Sequence, residues 1–369
     1  MHFLLENAKR VVIKLGSRIL TDGSGKIDIA RIHRICEQVR LLLDADTQVV
    51  VVSSGAIGLG MGRLGYTRRP SDLDALQACA AVGQSVLTET WQGGFTPHAI
   101  NVAQILLTRA DLQGRNRHVA VKNLFEKLLS DRIVPIVNEN DSVSTEEIRF
   151  GENDVLSALV ASLTKADILI MLTSMPGLID LEGSGEVVPV VETITREIEA
   201  MSLGTSSPIG VGGMRSKIEA AKIGTGSGCG VFIGSGEDPE IISHLLKGTA
   251  KGTFFIPKEL ALVSKKRWLA FFQHPAGTVG IDAGAGEALV NGGGSLLAKG
   301  VTWHRGEFAD GALVVIEGPE GETLARGVSQ YTSGELDTVA GKDSEEIRKL
   351  YPGRKRVEVV HRDSLVMLV

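Results

Sequence analysis

Acidic and amide side chains gather in two short stretches of the chain, Asn138–Asp141 and Glu152–Asp154. The first stretch follows an apolar run at 133–137 that is typical of a buried strand, and the second precedes a run with helical spacing that starts at Val155. Capping of that helix would explain the polar residues of the second stretch, but it does not explain why the chain has two such clusters. Amide donors beside a carboxylate acceptor suit a zwitterionic ligand, with the amides facing a carboxylate and Asp141 facing an ammonium group.

Glycines gather in three further stretches, Gly16–Gly25, Ser53–Gly65 and Gly210–Gly213, where backbone N–H groups could approach an anion. The third stretch precedes a helix that we predict to begin near Met214, with Lys217 one turn inside it. A lysine at that place is either an ordinary exposed residue or an ammonium group that reaches a phosphate, and the preceding glycines favour the phosphate. In the second stretch, the Gly58-x-Gly60-x-Gly62 spacing does not fit the dinucleotide-binding fingerprint, and the sequence contains no Gly-x-x-x-x-Gly-Lys-Ser/Thr motif of P-loop enzymes.

A larger fold must position these stretches, and residues 1–250 alternate short β-branched runs with longer segments of helical spacing. The predicted strands are 11–15, 47–54, 100–107, 132–137 and 167–172, and the predicted helices include 29–42, 73–86 and 155–163. Strands with nearly continuous apolar sequence are buried on both faces. The pattern predicts an α/β fold, a three-layer sandwich around a mainly parallel sheet, in which ligands bind at the carboxyl ends of the strands.

The pattern of predicted elements changes near residue 250, because beyond it short strands are separated by glycine-containing turns. A chain of 369 residues also exceeds the usual size of one domain. We therefore predict an α/β domain at 1–252, a linker at 253–265 and a small β-barrel-like domain at 266–369.

Composition narrows the class of protein. The net charge of −5 gives no general attraction to nucleic acid or to anionic membranes. Cys36, Cys79 and Cys229 form no Cys-x-x-Cys pair, which indicates free thiols in a reducing cytoplasm. No apolar run approaches the roughly 20 residues that span a bilayer, and no His/Cys pattern predicts a zinc site. We expect a cytoplasmic protein without a membrane span.

Five motifs, in the order and at the spacing found here, resemble those of the glutamate 5-kinases, which belong to the amino acid kinase family. The motifs are Lys14-Leu15-Gly16-Ser17, Ser53-Ser54-Gly55-Ala56-Ile57, Asn138-Glu139-Asn140-Asp141, Phe150-Gly151-Glu152-Asn153-Asp154 and Gly212-Gly213-Met214-x-x-Lys217. The C-terminal segment resembles a pseudouridine synthase and archaeosine transglycosylase (PUA) domain, which some bacterial members carry. The residues behind that resemblance are Gly277, Asp282, Gly284, Ala285, Ala288, Leu289, Ser295, Leu296, Leu297, Gly300 and Val301. Together the resemblances cover the whole chain and imply the amino acid kinase fold followed by a PUA domain.

The resemblance implies an enzyme that uses ATP to phosphorylate the γ-carboxylate of L-glutamate, giving glutamate 5-phosphate in the first step of proline biosynthesis. Lys14 and Lys217 would neutralise the phosphoryl group in transfer, and Asp154 would hold both lysines. The residues implied at the glutamate site are Ser54, Asp141 and Asn153. The residues implied at the ATP site are Lys14, Thr173, Ser174, Val211, Gly212, Gly213, Met214, Arg215, Ser216 and Lys217. Mg²⁺ is implied between the β- and γ-phosphates, with its protein ligands unknown.

The chain departs from the family pattern near the nucleotide. Thr173-Ser174 stands where Thr-Asp is usual, and Gly177-Leu178-Ile179-Asp180 lacks the usual tyrosine and the Asp-Pro that follows it. Val211 stands where a threonine is common. These differences bear on nucleotide affinity and base preference more than on phosphoryl transfer.

The sequence leaves two other functions open. One is a related kinase acting on acetylglutamate, aspartate, carbamate or UMP, although Gly16-Ser17 stands where acetylglutamate kinases usually have Gly-Gly. The other is RNA binding through the C-terminal domain, supported by Lys265-Lys266-Arg267 and Arg354-Lys355-Arg356. Residues 265–369 contain 13 Lys and Arg against 14 Asp and Glu, whereas a phosphate-binding domain is usually basic.

The resemblance also implies a homo-dimer or homo-tetramer, feedback inhibition by proline and hand-over of the product to the glutamate 5-phosphate reductase.

Overall fold

A computed structural model shows two compact units, residues 1–261 and 262–369, each with its own sheet. The structure describes residues 7–21, 27–143, 152–181, 183–202, 211–258, 266, 268–354 and 356–368. Parts of the sequence motifs and of the predicted linker lie outside these ranges: residues 22–25, Phe150, Gly151, Gly210, 259–265, Arg267 and Lys355. None of the described helices is long and apolar enough to cross a membrane.

An eight-stranded sheet forms the centre of the first unit. Its strands are β1 (Arg10–Leu15), β2 (Gln48–Ser53), β3 (Val102–Leu107), β4 (Val134–Glu139), β5 (Ile168–Thr173), β6 (Val190–Val191), β7 (Gly230–Ser235) and β8 (Gly252–Phe255). The order across the sheet is β3-β4-β2-β1-β5-β7-β8-β6, and neighbouring strands are parallel except β7 and β8. The predicted mainly parallel sheet is confirmed. Residues 253–255, at the start of the predicted linker, belong to β8.

Helices connect these strands and cover the sheet. They are α1 (Ser17–Leu20), α2 (Ile29–Asp44), α3 (Ala56–Leu64), α4 (Leu73–Phe95), α5 (Arg109–Gln113), α6 (Arg115–Ser130), α7 (Glu152–Thr164), α8 (Arg196–Met201), α9 (Val211–Gly226) and α10 (Ile241–Leu246). Short 3₁₀ turns follow α4 at Thr96–His98 and β4 at Asp141–Val143. The predicted helical stripes fall within α2, α4 and α7, because their apolar spacing matches the buried face of a helix.

Alternation along β1 decides which helices its side chains reach. Val11, Ile13 and Leu15 point to one face of the sheet and join a core cluster with residues of α2, α4 and α10. Lys14 lies between Ile13 and Leu15, so it points to the opposite face, where it meets a residue of α7. The strand therefore directs a charged side chain into a buried layer, which requires an opposite charge there.

Two glycines let α3 and α4 pack backbone to backbone. A Cβ atom on Gly60 would lie 1.8 Å from the carbonyl oxygen of Cys79, and a Cβ atom on Gly83 would lie 1.8 Å from the carbonyl oxygen of Ala56. Because real atoms do not approach so closely, a side chain at either glycine would push the helices apart. This contact holds the middle of α4 directly against the start of α3.

We expect Gly83→Ala to lower the free energy of unfolding by about 3 kcal/mol, because the added methyl group meets backbone rather than a movable side chain. Gly93→Ala in the same helix is the matched control, since no neighbouring atom lies within 4 Å of a Cβ atom there. The control should be neutral or more stable by up to about 1 kcal/mol, because alanine favours the helix. Urea denaturation measures both changes, and equal midpoints would contradict the close approach of the two helices.

The second unit contains a mixed five-stranded sheet and short helices. Its elements are β9 (Gly277–Ile281), α11 (Ala283–Gly292), β10 (Val301–Arg305), β11 (Leu313–Glu317), β12 (Thr323–Ser329), α12 (Ser333–Val339), α13 (Ser344–Leu350) and β13 (Val360–Met367). The strand order is β10-β9-β11-β12-β13, and β9 with β11 is the parallel pair. A separate apolar cluster that includes Val279, Val314 and Tyr331 fills this unit. The predicted separate C-terminal domain therefore has its own core.

Candidate active site

Lys14, Asp154 and Lys217 meet at the carboxyl end of β1. Lys14 Nζ lies 2.6 Å from Asp154 Oδ1, and Lys217 Nζ lies 3.0 Å from Asp154 Oδ2. The three residues are nearly inaccessible, with exposed fractions of 5%, 1% and 8% respectively. One carboxylate thus bridges two ammonium groups, and the structure brings together the three residues that the sequence predicts as catalytic.

Three different elements supply this cluster: β1 carries Lys14, α7 carries Asp154 and α9 carries Lys217. Helix α7 begins at Glu152 rather than at the predicted Val155, so Asp154 lies inside its first turn. The Asp154 carboxylate turns toward the lysines, so capping alone is not what the aspartate does. The separation of the elements along the chain means that the cluster forms only when the domain has folded.

Ser216 adds a third donor to Asp154. Its Oγ donates to Asp154 Oδ2 at 2.6 Å, the same oxygen that receives the ammonium group of Lys217. Lys217 Nζ also donates to the carbonyl oxygen of Gly213 at 2.9 Å. Two fixed acceptors therefore orient the Lys217 ammonium group, and two charged donors and one hydroxyl hold the carboxylate.

The electrostatics of the cluster favour an ionised carboxylate. Burial alone would raise the pKa of Asp154, but the nearby charges of Lys14 and Lys217, with the Ser216 hydrogen bond, outweigh burial and hold that pKa below its usual range. Burial lowers the pKa of Lys217 and repulsion from Lys14 adds to this, while Asp154 opposes both. Asp154 is therefore the group that lets two ammonium charges coexist in a buried place.

Amide side chains form a second cluster next to the first. Asn153 Nδ2 donates to Asn138 Oδ1 at 3.0 Å, and Asn138 Nδ2 donates to Gln84 Oε1 at 2.9 Å. The backbone N–H of Glu139 donates to Asn138 Oδ1 at 2.9 Å and to Asn153 Oδ1 at 3.3 Å. Because Asn153 precedes Asp154 in α7, one turn of helix carries a member of each cluster.

A cavity of about 240 Å³ lies at the ends of β3 and β4. Its lining residues are Ala56, Ala80, Ala81, Gln84, Ser85, Gln104, Leu106, Glu139, Asn140, Asp141 and Ser142. Asp141, the predicted ammonium ligand, is therefore at this cavity, together with Gln84 from the amide cluster. Ser54 follows β2, and its backbone N–H donates to the carbonyl oxygen of Leu15 at 3.3 Å, which places it beside the end of β1.

The residues predicted at the ATP site lie on two elements near Lys14. Thr173 ends β5, the strand next to β1, and its carbonyl oxygen accepts from the N–H of Gly236 at 2.9 Å. Ser174 follows it and is exposed. The remaining residues, from Val211 to Lys217, form the first two turns of α9.

The predicted start of α9 near Met214 is wrong, because the helix begins at Val211. Gly212 and Gly213 are therefore helical rather than part of a preceding loop. Glycine has a low helix propensity, and for that reason the sequence indicates a loop. Met214 is buried, whereas Arg215 is exposed.

Two features of the site were not predicted from the sequence. Ser216, which the resemblance places at the ATP site, also donates its hydroxyl to Asp154. Gln84 was not singled out, although it lies one helical turn after Ala80 on an apolar stripe of α4 and is only 7% exposed. A polar side chain on a buried helix face needs a hydrogen-bond partner, so the place of Gln84 on an apolar stripe is the sequence feature that could have indicated its role.

Comparison with known families and proteins matches both units. Residues 9–235 match the amino acid kinase family, and residues 277–351 match the PUA domain. The chain is 42% identical over 369 residues to the glutamate 5-kinase of Trichlorobacter lovleyi, covering 99% of this chain and 98% of that protein. It is also 42% identical to the glutamate 5-kinase of Moorella thermoacetica, covering 99% of this chain and 97% of that protein. The glutamate 5-kinase of Burkholderia multivorans is 42% identical as well, with all of both chains covered.

Proposed function

Because the chain belongs to the amino acid kinase family, we propose that it catalyses the ATP-dependent phosphorylation of the γ-carboxylate of L-glutamate. The product is glutamate 5-phosphate, and the reaction is the first step of proline biosynthesis. The observation that carries this proposal is the pair of buried lysines held by Asp154 at the carboxyl ends of the strands. Full-length relatives with one common function support the choice of glutamate as the acceptor.

Charge neutralisation is the main task of the site. An oxygen of the substrate carboxylate attacks the γ-phosphorus, the bond from that phosphorus to the β-phosphate oxygen breaks, and ADP leaves. The carboxylate is already a nucleophile, so no side chain has to remove a proton. Lys14 and Lys217 stabilise the negative charge on the transferred group, and Asp154 keeps both ammonium groups in place before the reaction begins.

The amino acid end of the substrate is assigned to the amide cluster and the cavity beside it. We infer that Asp141 accepts from the ammonium group of glutamate and that Asn153 donates to a carboxylate oxygen. Ser54, beside the end of β1, completes this set near the phosphoryl acceptor. The free ammonium group is the feature that distinguishes glutamate from acetylglutamate, and a carboxylate in the cavity is what would recognise it.

The nucleotide is assigned to the space between the end of β5 and the start of α9. Thr173 ends β5, the strand beside β1, and Ser174 follows it. The backbone of Gly212 and Gly213 lies in the first turn of α9, where N–H groups favour phosphate. Mg²⁺ bound with the nucleotide would supply further charge neutralisation. Within the described residues, no three His, Cys, Asp or Glu side chains form a metal site, so we assign no protein ligand to Mg²⁺.

Further properties of the protein are proposed on chemical grounds. An acyl phosphate hydrolyses readily in water, which favours direct hand-over to the glutamate 5-phosphate reductase. Cys36, Cys79 and Cys229 are free and buried, which supports a reducing, cytoplasmic location. We also propose a homo-dimer or homo-tetramer and feedback inhibition by proline, in line with the sequence resemblance. The relatives favour neither another acceptor nor RNA as the main ligand.

Trapping the product tests the proposed reaction. With ATP, Mg²⁺ and hydroxylamine, we expect L-glutamate to give a hydroxamate, because hydroxylamine attacks the acyl phosphate. N-acetylglutamate should give none, because acetylation replaces the charged ammonium group that Asp141 is proposed to bind with a neutral amide. Reactions without ATP are the control. Hydroxamate from N-acetylglutamate in preference to glutamate would overturn the substrate assignment.

A further inference from the structure

Gln84 joins α4 to the amide cluster through its hydrogen bond with Asn138. Its Oε1 accepts from Asn138 Nδ2 at 2.9 Å, and its Nε2 approaches Thr88 Oγ1 at 3.3 Å. Asn138 is 1% exposed and Gln84 is 7% exposed, so both side chains lie almost wholly inside the protein. Burying two amides is unfavourable unless their hydrogen bonds are made, so their alignment constrains this region.

One backbone group fixes the direction of the whole chain of amides. The N–H of Glu139 can only donate, so the Asn138 atom that faces it must be the oxygen Oδ1. Asn138 Nδ2 must then point to Gln84, and Gln84 must present its own oxygen. On the other side, Asn153 must present Nδ2 to the same Asn138 oxygen and its own oxygen to the Glu139 N–H. The oxygen and nitrogen positions of all three side chains are therefore determined by the network.

The two ends of this chain lie at the proposed substrate site. Asn153 is next to Asp154, which holds the lysines, and Gln84 lines the cavity that Asp141 also lines. An amide nitrogen has two N–H groups, and Asn153 uses one of them toward Asn138. The second N–H is then directed by the position of Asn138, which in turn depends on Gln84.

We propose that Gln84 is a positioning residue for glutamate: through Asn138 it holds the Asn153 amide at the place from which its second N–H group faces the substrate carboxylate. This inference rests on the proposed role of Asn153 in binding glutamate. Without the Gln84 oxygen, Asn138 Nδ2 loses its acceptor, so the position of the Asn138 side chain is no longer fixed from both ends. The Asn153 amide, which donates to Asn138 Oδ1, would then shift and carry its second N–H group away from the substrate carboxylate.

The main test is Gln84→Met, which keeps the length of the side chain and removes its hydrogen bonds. We expect the KM for glutamate to rise about tenfold, with the KM for ATP within about twofold of the wild-type value. Gln84→Glu keeps an oxygen acceptor facing Asn138, so its KM for glutamate should stay within about threefold. Thr88→Val is the matched control, because it removes the hydroxyl that meets Gln84 Nε2 and Gln104 Oε1 but keeps the hydrogen bond between Gln84 and Asn138. It should leave the KM for glutamate within about twofold.

A double-mutant cycle shows whether Gln84 acts through Asn153. In an Asn153→Ala background, Gln84→Met should change the KM for glutamate by less than about twofold, because there is no amide left to orient. A full tenfold increase in that background would overturn the proposal, since Gln84 would then act on the substrate directly or through general packing. An unchanged KM in the Gln84→Met single variant would also overturn it. If Asn153→Ala alone leaves the KM for glutamate unchanged, Asn153 does not bind glutamate and the positioning role of Gln84 is wrong as well. The hydroxamate assay tests the proposed reaction independently of this result.

Discussion

Asp154→Asn is expected to reduce kcat by about 10²-fold or more, with a much smaller change in the KM for glutamate. Asparagine has nearly the same shape but no charge, so two buried ammonium groups would lose their shared counter-charge. They would repel each other and shift from the positions that Asp154 Oδ1 and Oδ2 now define. Because the lysines act on charge that develops during transfer, the loss falls on kcat rather than on the binding of glutamate.

Steady-state kinetics and a melting curve on the same preparation separate catalysis from stability. Ser157→Ala is the matched control, since its buried hydroxyl donates to the backbone carbonyl of Asp154 at 2.6 Å and not to the carboxylate. That variant should lose some stability and keep its kcat. If Asp154→Asn also kept its kcat and were merely about 1 kcal/mol less stable, the aspartate would be no more than a structural residue at the start of α7.

Asp141→Ala is expected to raise the KM for glutamate by about 30- to 150-fold, because a charge-assisted contact of roughly 2–3 kcal/mol is lost. The kcat at saturating glutamate should change far less, since Asp141 is assigned to the ammonium group and not to the phosphoryl group. Ser142→Ala is the control from the same cavity: Ser142 Oγ donates to Asn140 Oδ1 at 2.6 Å and carries no charge.

Initial rates over a wide range of glutamate concentration, at saturating ATP, measure this effect. A second acceptor sharpens the result, because glutarate lacks the ammonium group that Asp141 is proposed to bind. The Asp141→Ala variant should therefore discriminate poorly between glutamate and glutarate. A variant whose KM for glutamate matched that of the wild type would remove Asp141 from the substrate site.

The sheet could be predicted from strong local patterns, whereas the charged cluster was implied by the resemblance to the glutamate 5-kinases. Lys14 interrupts an otherwise apolar strand, and such a residue has to meet an opposite charge in a buried layer. The stretch that contains Asp154 likewise combines a carboxylate with the start of an apolar helix. The resemblance indicated which charges belong together, and the structure places each lysine nitrogen within 3.0 Å of an Asp154 carboxylate oxygen.

Hydrogen bonds between distant side chains were beyond the reach of these patterns. The contact from Ser216 to Asp154 joins residues that are 62 positions apart, and the contact from Asn138 to Gln84 spans 54 positions. Serine and glutamine are common on exposed helix faces, so their residue types alone do not reveal such partners. The start of α9 was missed for a different reason, because tertiary packing overrides the low helix propensity of Gly212 and Gly213.

The bridged lysines have a consequence for how substrate binding and folding are connected. Two ammonium groups share one carboxylate, so with all three ionised the cluster sums to one positive charge in a region nearly closed to water. Folding alone leaves this internal cation without its full counter-ion, and we propose that the polyphosphate of the nucleotide is the anion that balances it. On this proposal the nucleotide is both a reactant and the counter-ion of a buried charge. Its binding would therefore raise the free energy of unfolding as well as supply the phosphoryl group.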